Sequence, residues 1–129
     1  MLAVWKEWNL DIILRNAYEK GIIMSGVSAG AICWFDKGIT DSYAKKLAII
    51  DCLGMVEGTA CPHFDEEKDR EPYVNYVIRK EIINSCLCIE GNCALHIKND
   101  LEYSSIDFGN NKNCFKVSKE NNNLNKLIL

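Results

Sequence analysis

No segment narrows the possible folds of this chain as much as Gly26-Val27-Ser28-Ala29-Gly30. A G-x-S-x-G that follows a strand and opens a helix holds its serine on a tight turn, with small residues at both flanks so that strand and helix approach and Oγ stays exposed. The neighbours suit that context. Ile22-Ile23-Met24 is a short apolar run bounded by Gly21 and Gly26, the pattern of a buried parallel strand, and Ala29 to Phe35 reads as a helix. The alternative is a Gly/Ser-rich turn without catalytic meaning; the strand-turn-helix context favours a nucleophile elbow.

The rest of the chain reads as an alternation of helices and strands, hence an α/β protein. Met1 to Trp8 has the pattern of an amphipathic helix with Asn9 as its C-terminal cap, and Asp11 is positioned to cap a second helix carrying Ile13, Leu14, Ala17 and Tyr18 on one side. Asp36 to Asp51 is polar and predicts at most a short helix; Leu53 to Val56 and Thr59 to Cys61 follow as short extended pieces. Pro72 sits well early in a helix through Asn84, with Val74, Ile78 and Ile82 repeating every fourth residue. Leu87 to Ile89 reads as a buried strand. Cys93 to Ile97, Leu101 to Ser105 and Phe115 to Val117 read as antiparallel strands joined by turns at Lys98-Asn99-Asp100 and Gly109-Asn110-Asn111. One domain over residues 1–118 is expected, with a polar, frayed tail from Lys119 onward.

Composition removes several function classes. A net charge of −3 with interspersed acidic and basic residues lacks the dense cationic cluster that nucleic-acid backbones require. No apolar run is long enough for a membrane span, and Met1 to Lys6 lacks the order of a signal peptide, so a cytoplasmic location is expected. The seven cysteines stand among apolar neighbours and read as buried, reduced thiols. Cys86-Leu87-Cys88 with Cys93 has C-x-C rather than C-x-x-C spacing, and two histidines are too few to complete a zinc site, so no metal and no cofactor are expected.

Chemistry gathers around Ser28. A serine hydroxyl is a weak nucleophile at neutral pH and needs a base within hydrogen-bond reach. His63 closes Cys61-Pro62-His63 and opens the polar run Asp65-Glu66-Glu67, a loop position facing a cleft; His96 lies inside a strand pattern and suits a structural role. The carboxylate that orients the imidazole has two candidates: Glu90, at the carboxyl end of the strand Leu87-Cys88-Ile89, and Asp41 in Gly38-Ile39-Thr40-Asp41-Ser42. The Ala29 backbone N–H, at a helix start, is placed to donate to a developing oxyanion.

Gly26 to Phe35, followed by Cys61-Pro62-His63-Phe64-Asp65 and by Ile89-Glu90-Gly91-Asn92, resembles the peptidase E (aspartyl dipeptidase) family of serine peptidases, from residue 1 to about residue 117. The resemblance implies Ser28 as nucleophile and His63 as base, with the acid at Asp41 or Glu90. It implies a three-layer sandwich like that of class I glutamine amidotransferases, with no cofactor. The implied reaction is hydrolysis of short peptides with amino-terminal aspartate through an acyl-enzyme. Arg70, a few residues past His63, is the candidate partner of the substrate carboxylate, with a solvated residue near a helix start as its alternative reading.

Family members carry further sheet strands and a Gly-Gly-Asn-Thr-like oxyanion loop before the elbow, which has no counterpart in residues 1–129. The expectation is therefore a sheet lacking its first strands, whose exposed edges favour self-association as a homo-oligomer. Two functional readings follow: an active dipeptidase, or a truncated, catalytically weak relative serving as a binding or interaction module. A lipase-like hydrolase fits less well, because such enzymes place their acid before their histidine on a longer chain.

Overall fold

The computed structural model describes residues 1–42, 46–99 and 102–129. Its elements are α1 (Leu2–Glu7), α2 (Leu10–Glu19), α3 (Ala29–Ile32), β1 (Phe35–Thr40), β2 (Ala48–Asp51), β3 (Val56–Cys61), α4 (Arg70–Arg79), β4 (Ser85–Ile89), β5 (Cys93–Lys98), β6 (Glu102–Asp107), β7 (Cys114–Glu120) and β8 (Asn123–Ile128). Six strands form one sheet in the order β2-β1-β3-β4-β7-β8, and β5 and β6 form a separate hairpin. β1, β3 and β4 are mutually parallel neighbours, while β2, β7 and β8 join antiparallel at the two sides. The architecture is mixed α/β.

Helix α4 forms where the sequence predicts it, and Val74, Val77 and Ile78 deliver its apolar stripe to one face of the sheet. There they pack with Ile39, Cys61, Cys86, Cys88 and Val117. The opposite face carries Phe35, Ala60 and Leu87, covered by Ile32 of α3 and by Leu95, Ile97 and Tyr103 of the β5–β6 hairpin. Gly38 explains how α3 lies so close. A Cβ there would stand 2.7 Å from the Ile32 side chain, so only glycine lets Ile32 rest on the strand.

Several sequence expectations are corrected. Ile22-Ile23-Met24 belongs to no sheet, and Ile23 is 91% exposed. The helix after Ser28 stops at Ile32, because Phe35 already enters β1. The polar stretch Asp36 to Asp51 contains β1 and β2, which pair from Lys37↔Asp51 to Thr40↔Ala48; any short helix over residues 43–45 lies outside the described residues. Asp11 does not cap α2: Asn9, in left-handed conformation, holds that position and Asp11 falls in the first turn. The helix expected through Asn84 ends at Arg79.

The carboxyl-terminal tail is not frayed. Lys119 and Glu120 finish β7, and Asn123–Ile128 returns as edge strand β8 in register from Phe115↔Ile128 to Glu120↔Asn123. Leu124 reaches the core, and the Lys126 ammonium lies 4.8 Å from the Phe64 ring centre and 4.3 Å from that of Phe115. The turn expected at Lys98-Asn99-Asp100 lies partly outside the described residues. Six cysteines are buried and Cys93 is half-buried, and none is in a disulfide. Burial pushes the Cys61 and Cys114 thiols up to about 12, so they persist as neutral, small apolar groups.

Candidate active site

Ser28 stands directly before α3 with φ 55° and ψ −119°, a strained conformation for a residue with a side chain. The turn is enforced from one flank. A Cβ on Gly26 would come within 2.0 Å of the Gly30 carbonyl oxygen, whereas a Cβ on Gly30 would meet nothing within 4 Å. Of the two glycines, only Gly26 is sterically required among the described residues, because its backbone lies against the first turn of α3. The Gly30 N–H donates to Val27 O and the Ala31 N–H to Ser28 O. The Ala29 N–H has no hydrogen-bond partner among the described residues.

Three neighbouring parallel strands deliver the other candidates at their carboxyl ends: Asp41 after β1, His63 after β3 and Glu90 after β4. Phe64 N–H donates to Ile89 O and tethers the loop after β3 to the end of β4. His63 itself adopts a left-handed backbone, φ 55°, and its carbonyl accepts from the Glu66 and Glu67 N–H groups in a tight turn. That turn aims the imidazole at Ser28 and folds Glu66 back beneath it.

Nε2 of His63 lies 3.0 Å from Ser28 Oγ, and Nδ1 lies 2.6 Å from Glu66 Oε2. An ionised carboxylate only accepts, so Nδ1 carries the proton and donates to Glu66, leaving Nε2 to accept from the serine hydroxyl. The order serine, histidine, carboxylate is thus assembled with residues 35 and 3 apart in sequence.

The carboxylate on His63 is one that sequence reasoning did not single out. Neither Glu90 nor Asp41 hydrogen-bonds His63. Glu90 is turned toward β7, where its Oε2 accepts the Asn113 N–H at 3.0 Å. Asp41 lies 3.7 Å from the Arg70 guanidinium. The available signal for Glu66 was its place three residues after His63, in the same turn, which reads from sequence as a solvated acidic run. Gly91 leaves room for it: a Cβ there would sit 2.6 Å from the Glu66 carboxyl carbon.

Arg70 is 3% exposed and fully engaged inside the fold. Its guanidinium donates to Glu67 Oε2 at 2.8 Å and to Ile39 O at 3.2 Å, joining the start of α4 to β1. That environment leaves it no free donor face for a substrate carboxylate. His96 lies on β5, paired with Ser104 of β6 and away from Ser28. Among the described residues no group of three or more His, Cys, Asp and Glu side chains is arranged to hold a metal.

A second clasp stiffens the loop below the histidine. Asp65 accepts from the Gly91 N–H at 2.7 Å and from Lys112 at 2.5 Å. Burial raises the Asp65 carboxyl, but the hydrogen bonds from Lys112 and Gly91 outweigh it and hold the group below its ordinary value. The loops after β3 and β4 and the approach to β7 are therefore locked together under His63.

A parallel α/β core that presents a strained serine to a histidine at the carboxyl end of a strand defines a hydrolase-type site. Residues 1–102 match peptidase family S51, and the chain belongs to that family. It is similar to an uncharacterized peptidase, YgaJ, of Bacillus subtilis strain 168, at 40% identity over 117 residues. That alignment covers 91% of this chain and 50% of YgaJ, so the chain spans about half the length of this curated relative. No helix among the described residues is long and apolar enough to cross a membrane.

Proposed function

We propose that the chain is a serine peptidase that hydrolyses short peptides with amino-terminal aspartate. Ser28 attacks the scissile carbonyl while His63 Nε2 takes the hydroxyl proton. Collapse of the tetrahedral intermediate returns that proton to the leaving amine and leaves an acyl-enzyme on Ser28, which water, activated by the same imidazole, then cleaves. Glu66 orients the ring and stabilises the imidazolium, the role expected from sequence of Glu90 or Asp41. The Ala29 N–H donates to the oxyanion. The observation that carries this reading is the 3.0 Å contact between Ser28 Oγ and His63 Nε2, with the opposite ring nitrogen on a carboxylate.

Preference for amino-terminal aspartate rests on the resemblance of the Gly26 to Phe35, Cys61 to Asp65 and Ile89 to Asn92 segments to aspartyl dipeptidase. Arg70, buried in its own ion pair, does not serve it. A second reading, a catalytically weak relative working as a binding module, is favoured by one specific observation: Trp8, Ile12, Ile13, Ile22, Ile23 and Val27, on the amino-terminal side of the elbow, are large apolar side chains left exposed.

Purified chain incubated with Asp-Leu and Leu-Asp, beside a Ser28→Ala control, tests the proposal. The expected result is release of leucine from Asp-Leu that vanishes in the control. Equal hydrolysis by Ser28→Ala, or no turnover above it at high protein concentration, supports the binding-module reading instead.

A further inference from the structure

Cys93 and Cys114 open two strands of different layers, β5 of the hairpin and β7 of the sheet, yet their sulfur atoms stand 3.5 Å apart. The backbone holds them there. The Cys114 N–H donates to Ser105 Oγ of β6 at 2.7 Å and the Ser105 N–H donates to Leu129 O, so the hairpin is pinned to the sheet beside the two sulfurs. Next to Cys93, the Phe108 N–H donates to Asn92 O and closes the base of the hairpin. A disulfide holds its sulfurs at about 2.0 Å, so an approach of about 1.5 Å separates this pair from a bond.

The two thiols are not equivalent. Cys93 is half-buried and the other six cysteines are buried, so an oxidant arriving from solvent meets Cys93 first. The hydrogen bonds run in one direction: the Cys93 S–H donates to Glu90 O at 3.3 Å, which leaves its sulfur to accept from the Cys114 S–H. Burial pushes the Cys93 thiol up and the bond from Cys114 offsets part of that rise, whereas burial pushes Cys114 up to about 12 and its bond to Cys93 adds to the rise. Thiolate character therefore concentrates on the more accessible sulfur, with a neutral thiol set against it.

We propose that Cys93 and Cys114 form an oxidation site for hydroperoxides, closing to a reversible disulfide that fastens the β5–β6 hairpin to the sheet. The Cys93 thiolate attacks one oxygen of the peroxide; the O–O bond breaks, Cys93 becomes a sulfenic acid, and the departing hydroxide takes up the proton that the thiol released. The Cys114 sulfur then attacks the Cys93 sulfur, the S–O bond breaks, and the hydroxide that leaves carries off the Cys114 proton as water. Two thiols are oxidised and one peroxide is reduced to water. The new bond lies beside the Gly91 turn, which holds Asp65 and accommodates Glu66, so it stiffens the wall below His63. Nothing in this chemistry involves Ser28, and it stands apart from the proposed peptidase activity.

Treating the folded, reduced chain with hydrogen peroxide after removal of reductant tests the proposal. Remaining thiols are alkylated in denaturant and the chain is digested. The expected result is the loss of two of the seven titratable thiols and a peptide pair joined through Cys93 and Cys114, assigned by fragmentation, that dithiothreitol separates. Cys93→Ser slows the thiol loss about ten-fold or more, and Cys114→Ala leaves a sulfenic acid on Cys93 that dimedone captures. In the oxidised parent chain, exchange of the hydrogen-bonded β5 amides and of the Gly91 amide slows about ten-fold or more. Peptides joined through other cysteines, linkage only between chains, or sulfinic acid at Cys93 without linkage overturns the proposal. So does an oxidised chain whose β5 and Gly91 amides exchange as fast as in the reduced one. The linkage is read on the parent chain, so a Cys114→Ala variant that fails to fold leaves the test intact.

Discussion

Ile23 and Ile39 lie on either side of the same elbow, and they end at opposite extremes, 91% and 0% exposed. The difference does not lie in the residues. Ile39 is in β1, with β2 and β3 on its flanks and α4 above it, so its side chain enters a closed layer. Ile23 has no strand beside it and no layer over it. Apolar sequence therefore marks a segment that can be buried, and only a second surface turns that into burial. Ser28 sits on the seam between the two regions, joined to the finished one through His63.

The sharpest way to probe this contrast is to truncate one side chain in each region. Ile78→Ala removes a fully buried side chain between α4 and the sheet and is expected to cost about 2–5 kcal/mol in urea unfolding. A cost below about 1 kcal/mol would mean that the sheet side is as loose as the amino-terminal side, and would break the comparison.

At the seam itself, the two elbow glycines should separate. Gly26→Ala drives a methyl into the Gly30 carbonyl and is expected to destabilise by about 1–3 kcal/mol through forced backbone movement. It should also lengthen the Ser28–His63 hydrogen bond, seen as an altered imidazole signal by NMR. Gly30→Ala, with open space around it, should change the unfolding midpoint little. Equal effects would show that strand and helix do not meet where the turn requires.

A smaller effect tests the clasp below the site. The Asp65 carboxyl titrates below its ordinary value of 3.8 in the folded chain, so between the two values the unfolded chain binds more protons. Its contribution is fully present above 3.8 and is lost as pH falls through the lowered folded value. Asp65→Asn should flatten the acid limb of the urea midpoint against pH, without a change near neutrality in slope. An unchanged acid limb would remove Asp65 from the account. The smallest effect is expected from Ile23→Ser, which should alter the stability of the isolated chain by no more than about 0.5 kcal/mol.

Elements whose own side chains set their environment were legible in the sequence. α4 has a four-residue apolar repeat, and β4 is a continuous apolar run, so both declare themselves. β1, β2 and β8 did not, because their identity depends on neighbours. Gly38 interrupts β1 only to admit Ile32, and β8 is an Asn- and Lys-bearing edge whose outward side faces solvent. Ile22-Ile23-Met24 failed in the other direction: the pattern asks for a sheet that the described residues do not provide.

The candidate site divides in the same manner. Ser28 and His63 are marked by local motif and by scarcity of histidines, and the fold brings them together at 3.0 Å. The carboxylate beside His63 was not singled out because proximity in a tight turn leaves no periodic trace: Glu66 reaches His63 through the left-handed backbone at His63 itself, a conformation that sequence does not announce. Arg70 looked like a surface residue because its partners, Glu67 and the Ile39 carbonyl, are fixed only by the docking of α4 on β1.

The proposed function requires that His63 activate Ser28 within this chain. Mass spectrometry after exposure to a fluorophosphonate measures that directly, since the reagent phosphonylates only an activated serine and releases fluoride. One adduct is expected, on Ser28, formed at least about a hundred-fold more slowly in His63→Ala, in line with the usual contribution of a positioned base. No adduct on Ser28, or one formed at the same rate in His63→Ala, would contradict it.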